Sequence, residues 1–224
     1  MKKDNAILIL AGPSGGGKTA TAEEILASDP RFSLIRSGTT RAPRGDGHDG
    51  EYLYYTEEEF LSLIEAGELC EYTNYGGGKM YGTPRSELRR AFSEGKIPLL
   101  VLDLNGVKSF ASLTEYSPCA LYVHADLDTV ERRLYDRYLR TDPDITKLTT
   151  FVTRKEQNIE DYLNISAYAP YMFSFLENSD TLEVCRDRAL SLFAAFRDGA
   201  PADTSANEKA VAALIRQGRI KKRD

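Results

Sequence analysis

"GPSGGGKT" occupies residues 12–19, directly after the apolar run "AILILA" at 6–11. Gly12, Gly17, Lys18 and Thr19 satisfy the pattern G-x-x-x-x-G-K-[ST]. A backbone this bare lets successive N–H groups converge on phosphate oxygens, because no side chains intervene. A helix that starts near Lys18 points the positive end of its dipole at the same anion. The lysine reaches the β- and γ-phosphates of a nucleoside triphosphate, and the threonine hydroxyl ligates Mg²⁺. Gly12, Pro13, Ser14, Gly15, Gly16, Gly17, Lys18 and Thr19 therefore form the expected triphosphate loop, with Thr19 as the metal ligand. The bland alternative, a flexible glycine turn, does not account for the strand before it and the helix after it.

Working outward, three more apolar runs match the first: "PLLVLDL" (98–104), "CALYVHA" (119–125) and "YMFSFLEN" (171–178). Short, continuous runs of this kind suit strands buried on both faces of a parallel sheet. Helical patterns alternate with them: "KTATAEEILAS", "TPRSELRRAFSEG", "LDTVERRLYDRYLR", "FVTRKEQNIEDYLN" and "TLEVCRDRALSLFAAFRD". Alternating strand and helix gives an α/β fold with a parallel sheet core. From about Ser37 to Met80 the rhythm breaks into glycines, tyrosines and short extended runs around "EEEFLSLIEAGE", which reads as an inserted lobe. The expected organisation is a core of 1–36 and 84–199, a lobe of 37–83, a lid of about 133–155 and a tail of 200–224. That tail starts like a linker, shows weak helical periodicity and ends basic. Its last charges read as a solvated, frayed terminus.

With 224 residues and 42% hydrophobic residues, the chain is long enough for one large domain with inserted lobes. No apolar stretch approaches the roughly 20 residues of a membrane span. The opening "MKKDNAILILAGPSG" superficially suggests a secretory signal, but its apolar run is short, β-branched and leads straight into the glycine loop. Cys70, Cys119 and Cys185 are odd in number and far apart, so neither a disulfide framework nor a zinc site is indicated. A reducing cytoplasm fits. The net charge of -5 argues against nucleic acid as the main partner.

A second constellation decides where the phosphate goes. "SGTTRAPRGDGHDGEY" gathers Ser37, Thr40, Arg41, Arg44 and Tyr52 in one glycine-rich stretch. Two arginines three residues apart can place their guanidinium forks on one phosphate. Tyr81 and Thr83 follow in "KMYGTP", and Glu71 lies in "LCEYTNY". On spacing alone this is a second anion site beside an acidic residue. A solvated loop with scattered arginines is the competing reading.

"GPSGGGK", "SGTTRAPR", "YGTP" and "ERRLYDR" together resemble guanylate kinase, over about Ala6 to Phe196. The resemblance implies a nucleoside-monophosphate-kinase fold and transfer of the ATP γ-phosphoryl to GMP, and by extension dGMP. Matched residue by residue, Ser37 contacts the guanine edge, and Glu71, Thr83 and Asp103 complete the base pocket. Arg41, Arg44, Tyr52 and Tyr81 hold the GMP phosphate. Arg133, Arg137 and Arg154 close over the transferred group beside Lys18, and Asn178 lies near the ATP base. ATP, GMP and Mg²⁺ are the implied ligands, with no membrane partner, and either a monomer or a homodimer is compatible.

Two departures from the family pattern stand out. Val101 occupies the place of an aspartate that would hold the metal through water. His124-Ala125 replaces a proline pair, and His124 reads as a packing residue, because transfer to a phosphate acceptor needs no strong base. His48 reads as solvent-facing. Two further readings remain open. One is a family-like interaction module without catalysis, against which the intact Lys18, Thr19, Arg133 and Arg137 argue. The other is a sugar-phosphate kinase, against which Ser37 and Glu71 argue.

Overall fold

The computed structural model describes residues 5–43, 50, 52–74 and 79–223. The run that opens the chain becomes β1 (Ala6–Ala11), and every residue in it is buried. Ile7, Ile9 and Ala11 face one hydrophobic cluster, and Ala6, Leu8 and Leu10 face the other. A strand with core on both sides has no polar face to show, which is why its sequence is continuous rather than alternating. The chain continues through α1 (Lys18–Ser28), β2 (Phe32–Leu34), β3 (Ser37–Thr39), β4 (Tyr52–Tyr54), α2 (Glu57–Glu65), β5 (Leu69–Asn74) and β6 (Met80–Pro84). Then come α3 (Arg85–Ser93), β7 (Ile97–Val101), α4 (Leu104–Ala111), β8 (Ser117–His124), α5 (Leu127–Tyr138) and α6 (Ile145–Asn164). β9 (Ser174–Glu177), α7 (Leu182–Arg197) and α8 (Thr204–Lys221) finish it.

Two sheets result. The main sheet is parallel, in the order β2-β7-β1-β8-β9. The chain leaves β1 for β2 and β7 on one side and returns to β8 and β9 on the other. Strand order therefore reverses beside the carboxyl end of β1, where ligands of open α/β sheets sit. The second sheet, β4-β3-β6-β5, mixes one parallel pair with antiparallel ones and carries its own small core of Phe60, Leu69 and Met80. Helix α2 covers it, starting at a capping box in which Thr56 and Glu59 satisfy each other's backbone N–H groups. Where the chain passes from core to second sheet, Arg36 pairs with the buried Glu87 of α3 at 2.8 Å.

Three sequence expectations change. "YMFSFLEN" is a strand only over Ser174–Glu177; Ala169–Tyr171, which contains Pro170, forms a tight 3-10 turn instead. Helix α6 begins at Ile145, so most of the long connection after Tyr138 is helical, with Asp144 accepting from the Lys147 N–H as N-cap. The tail is no frayed terminus. Helix α8 buries Leu214 and Gly218 against the body, with Val211 and Ile215 packed beside them. Its basic end pairs with acids of α5 and α6: Lys221 with Asp128, and Lys222 with Glu160 at 2.7 Å. Exposed pairs of this kind contribute only about 0–1 kcal/mol each, so the apolar seam holds the helix. No described helix is long and apolar enough to cross a membrane.

Candidate active site

The triphosphate loop leaves β1 at Gly12 and enters α1 at Lys18. Gly12 has φ 144° and a Cβ there would stand 2.0 Å from the Val123 carbonyl oxygen; Gly17 has φ 98° and a Cβ there would meet the Asn178 amide nitrogen at 2.0 Å. Neither position admits a side chain. Side chains of Thr56, Asp103, Asp126, Asp144, Thr181 and Asp203 cap the first turns of α2 and of α4 to α8. Helix α1 has no capping side chain at Gly17. Helix α3, which starts after Pro84, lacks one too, but of the two only α1 opens from a glycine-rich loop, so its first-turn N–H groups suit an anion.

Three side chains from other elements grip this loop. Asn158 of α6 accepts the Ser14 N–H at 2.9 Å and donates to the Ser14 carbonyl at 2.8 Å. Asn178, just after β9, donates to the Gly16 carbonyl at 3.0 Å. Arg133 of α5 donates to the carbonyls of Gly15 at 3.3 Å and Asn178 at 3.1 Å. Both asparagines are 2% exposed, too little for contact with a ligand.

Lys18 turns back on the loop, donating to the carbonyls of Gly12 at 2.7 Å and Pro13 at 2.8 Å. Burial pushes its ammonium down to about 8; Asp161 and Asp103 hold it up, while Arg137 and Arg154 push it further down. The arginines of α5 and α6 thus reach the same electrostatic neighbourhood as the lysine. Asp161, on α6, is a member of it that the sequence reading missed. Burial raises its carboxyl above the usual range.

An open cleft lined by Thr19, Glu23, Ser37, Tyr52 and Val101, among others, separates α1 from the second sheet. Within that sheet Ser37 pairs in register with Tyr52, and Thr39 with Tyr81. The Arg41 guanidinium lies 5.0 Å from the ring centre of Tyr52 and 5.8 Å from that of Tyr54. The Tyr52 and Tyr81 rings meet edge to face at 6.3 Å. One basic group framed by three phenols is suited to a phosphate. Deeper in, the Thr83 hydroxyl donates to Glu71 at 2.7 Å. Burial still lifts the Glu71 carboxyl to about 7, against the Thr83 hydrogen bond, and the charge of Asp103 adds to the rise. Asp103 itself caps α4 through the Gly106 N–H at 2.7 Å.

The guanylate kinase family model matches residues 4–184. This chain belongs to the guanylate kinase family. A guanylate kinase of Granulibacter bethesdensis is 37% identical over 132 residues, which is 58% of this chain and 62% of that protein, a little under two thirds of its length. One from Salinibacter ruber is 37% identical over 136 residues, 60% of this chain and 72% of the relative. The crystal structure of guanylate kinase from Anaplasma phagocytophilum shares the fold, with a TM-score of 0.59 at 24% identity over 88% of each chain. Helix α8 lies beyond the family match.

Against this background the expected residues fall into groups. Ser37, Arg41, Tyr52, Glu71, Tyr81 and Thr83 gather in the second sheet and the turn after β3, with Ser37 and Tyr52 lining the cleft. Arg44 and His48 lie outside the described residues. Arg137, Arg154 and Asp103 share the surroundings of Lys18. Asn178 is a correction: its side chain is buried under Gly16 and Gly17, so it braces the loop and is not presented to a base. Its Oδ1 has no hydrogen-bond partner among the described residues. Arg133 likewise grips two carbonyls. His124 packs against the rings of Tyr122 and Phe175 at 6.2 and 6.5 Å, and burial lowers its pKa. Tyr54 was legible in principle, because it sits two residues from Tyr52 on one strand and so shares its face. Nothing local in the sequence marks Asn158.

Proposed function

We propose that this chain transfers the γ-phosphoryl group of ATP to GMP, and to dGMP, giving ADP and the diphosphate. Glu71 carries the reading. A half-buried carboxylate whose donors among the described residues all come from Thr83, and which is still lifted to about 7, has acceptor capacity left for a ligand. Guanine offers two adjacent ones, N1–H and N2–H₂, while the Ser37 hydroxyl donates to O6. Adenine would turn its N1 lone pair toward the carboxylate and leave it unpaired. Sites built on such bonds reject the wrong ligand by about 10⁴-fold or more.

The GMP phosphate rests on Arg41, Arg44, Tyr52 and Tyr81, with Tyr54 behind the Arg41 guanidinium. ATP lies along Gly12 to Thr19 with its phosphates over the open end of α1. An oxygen of the GMP phosphate attacks the γ-phosphorus, and the bond to the β–γ bridging oxygen breaks, leaving on ADP. The attacking oxygen is already anionic, so no strong base is needed. Lys18 exchanges its two carbonyl partners for phosphate oxygens. With Arg137 and Arg154 it stabilises charge on the group in transit, since phosphoryl transfer is mostly positioning and electrostatics. Arg133 acts at the loop's edge. The lobe and the helices α5 and α6 close to exclude water, which would otherwise take the phosphoryl group.

Thr19 fits Mg²⁺. Its hydroxyl makes no hydrogen bond among the described residues, and no cluster of three or more acidic, histidine or cysteine ligands accompanies it. That sparse donor set suits an ion held mainly by phosphates and water. When bound, Mg²⁺ neutralises charge on the β- and γ-oxygens. The deciding experiment is a coupled ADP-release assay with ATP and, separately, GMP, dGMP, AMP, UMP and ribose phosphates. Turnover with the guanine nucleotides alone is expected. Equal use of AMP would mean the base pocket is misassigned, and no turnover with any acceptor would favour an interaction module.

A further inference from the structure

Asn158 is an uncommon choice for its place. It sits inside a 20-residue helix, 2% exposed, where asparagine has poor helix propensity and an unpaired amide would be costly. Both ends of its amide are used on one residue of the phosphate loop, accepting the Ser14 N–H and donating to the Ser14 carbonyl. Only one orientation of the amide satisfies both groups. Four residues earlier on the same helix stands Arg154, and three residues later Asp161. Spacings of three and four put all three on one face. Both charged neighbours act on Lys18. The helix face that grips the loop therefore also carries charges that act on Lys18.

We propose that Asn158 is a positioning residue that locks the phosphate loop to α6, so that seating ATP on the loop sets Arg154 over the γ-phosphate. The proposal rests on the kinase reading above and adds a coupling that the family motifs do not carry. Any movement of α6 relative to β1 moves Ser14, and with it the N–H groups that receive phosphate. Conversely, a triphosphate that fixes the loop fixes the helix one turn from Arg154. Misplacement of a phosphate-binding cation by about an ångström is enough to cost a large factor in rate.

The test uses the full chain and two variants. Asn158→Leu keeps the branched shape, at a larger volume, and removes both hydrogen bonds; Asn158→Ala serves if leucine is not accommodated. Binding of a non-hydrolysable ATP analogue and of GMP is measured by calorimetry, alongside steady-state kinetics. The expected result is roughly tenfold weaker analogue binding and roughly tenfold lower kcat, with the GMP Kd within about twofold of native. In an Arg154→Ala background the same change should lower kcat by less than about threefold, because there is no arginine left to position. In the native protein, the Asn158 side-chain amide resonance should shift on adding the ATP analogue and stay in place with GMP alone. Native analogue binding and kcat in a folded variant would overturn the proposal. So would a full kcat loss in the Arg154→Ala background, parallel weakening of both ligands, or a silent amide resonance. A native enzyme that turns over no GMP would instead defeat the kinase reading, while the analogue and resonance measurements still test the lock.

Discussion

The two nucleotide regions are built in opposite ways. The phosphate loop is finished before any ligand arrives. Asn158, Asn178 and Arg133 satisfy its carbonyls from three different elements, and Lys18 is bonded to the loop itself. The region proposed for GMP is left incomplete. Its carboxylate is held by Thr83 and still has a pKa near 7, and among the described residues its sheet rests on a small core of Phe60, Leu69 and Met80. A site that grips the part shared by all triphosphates can be rigid. A site that must recognise one base gains discrimination by leaving a desolvated group for that base to satisfy.

The largest expected effect strikes the finished side. Lys18→Met removes a charge that acts on the transferring group, and kcat should fall by at least about 10²-fold. A near-native kcat would break the contrast, since the loop would then be only a holder. Next comes the unfinished side. Glu71→Gln keeps the size but sets an NH₂ against a guanine donor, and kcat/KM for GMP should fall by roughly 30-fold, about 2 kcal/mol. Steady-state kinetics at saturating ATP would show it.

The pH dependence sharpens the same point. Free Glu71 carries its proton below about 7, while the proposed pairing with guanine needs the carboxylate. The GMP Kd should therefore rise as pH falls below 7, by up to about tenfold per unit, and flatten in Glu71→Gln. Stability runs the other way. The folded pKa stands above the unfolded value of 4.5, so this group favours folding below 4.5 and loses that contribution as pH rises through 7. Glu71→Gln should accordingly raise Tm at pH 8 relative to native and leave it little changed at pH 4. A uniform Tm change across pH would remove the titration from the account.

The smallest effect on catalysis lies outside both regions. Gly218 lets α8 cross α6 closely; a Cβ there would stand 3.0 Å from the Leu163 side chain and 3.3 Å from the Ile159 carbonyl oxygen. Gly218→Val should lower stability by about 1–3 kcal/mol through overpacking, seen as a lower Tm, with both substrate KM values within about twofold of native. A large change in KM for ATP would mean that α8 reaches the phosphate loop through α6, which would tie the tail to the finished side.

The legible parts of this protein share one property: their chemistry is local. The glycine loop reads directly because eight consecutive residues supply the whole phosphate cradle. Glu71, Thr83 and Tyr52, on short strands, and Arg41, in the turn after β3, could be singled out because they sit inside or beside distinctive motifs. Asn158 and Asn178 were invisible or misread because their partners lie 144 and 162 residues away in the chain. The role of α8 was missed for the same reason. Its apolar positions are few, and what makes them a seam is the matching groove on α6.

The sequence by itself determined the alternation of strand and helix around a parallel core, the phosphate loop between β1 and α1, and the inserted lobe that carries the acid, hydroxyl and arginine set proposed for a guanine nucleotide. These follow from backbone freedom, hydrophobic periodicity and side-chain chemistry, all expressed within a few residues. Tertiary structure alone decided which side chains hold the loop, which acids surround Lys18 and how far Glu71 is pulled from its ordinary pKa. Burial, and the distance between groups far apart in the chain, exist only once the two sheets and the helices around them have closed.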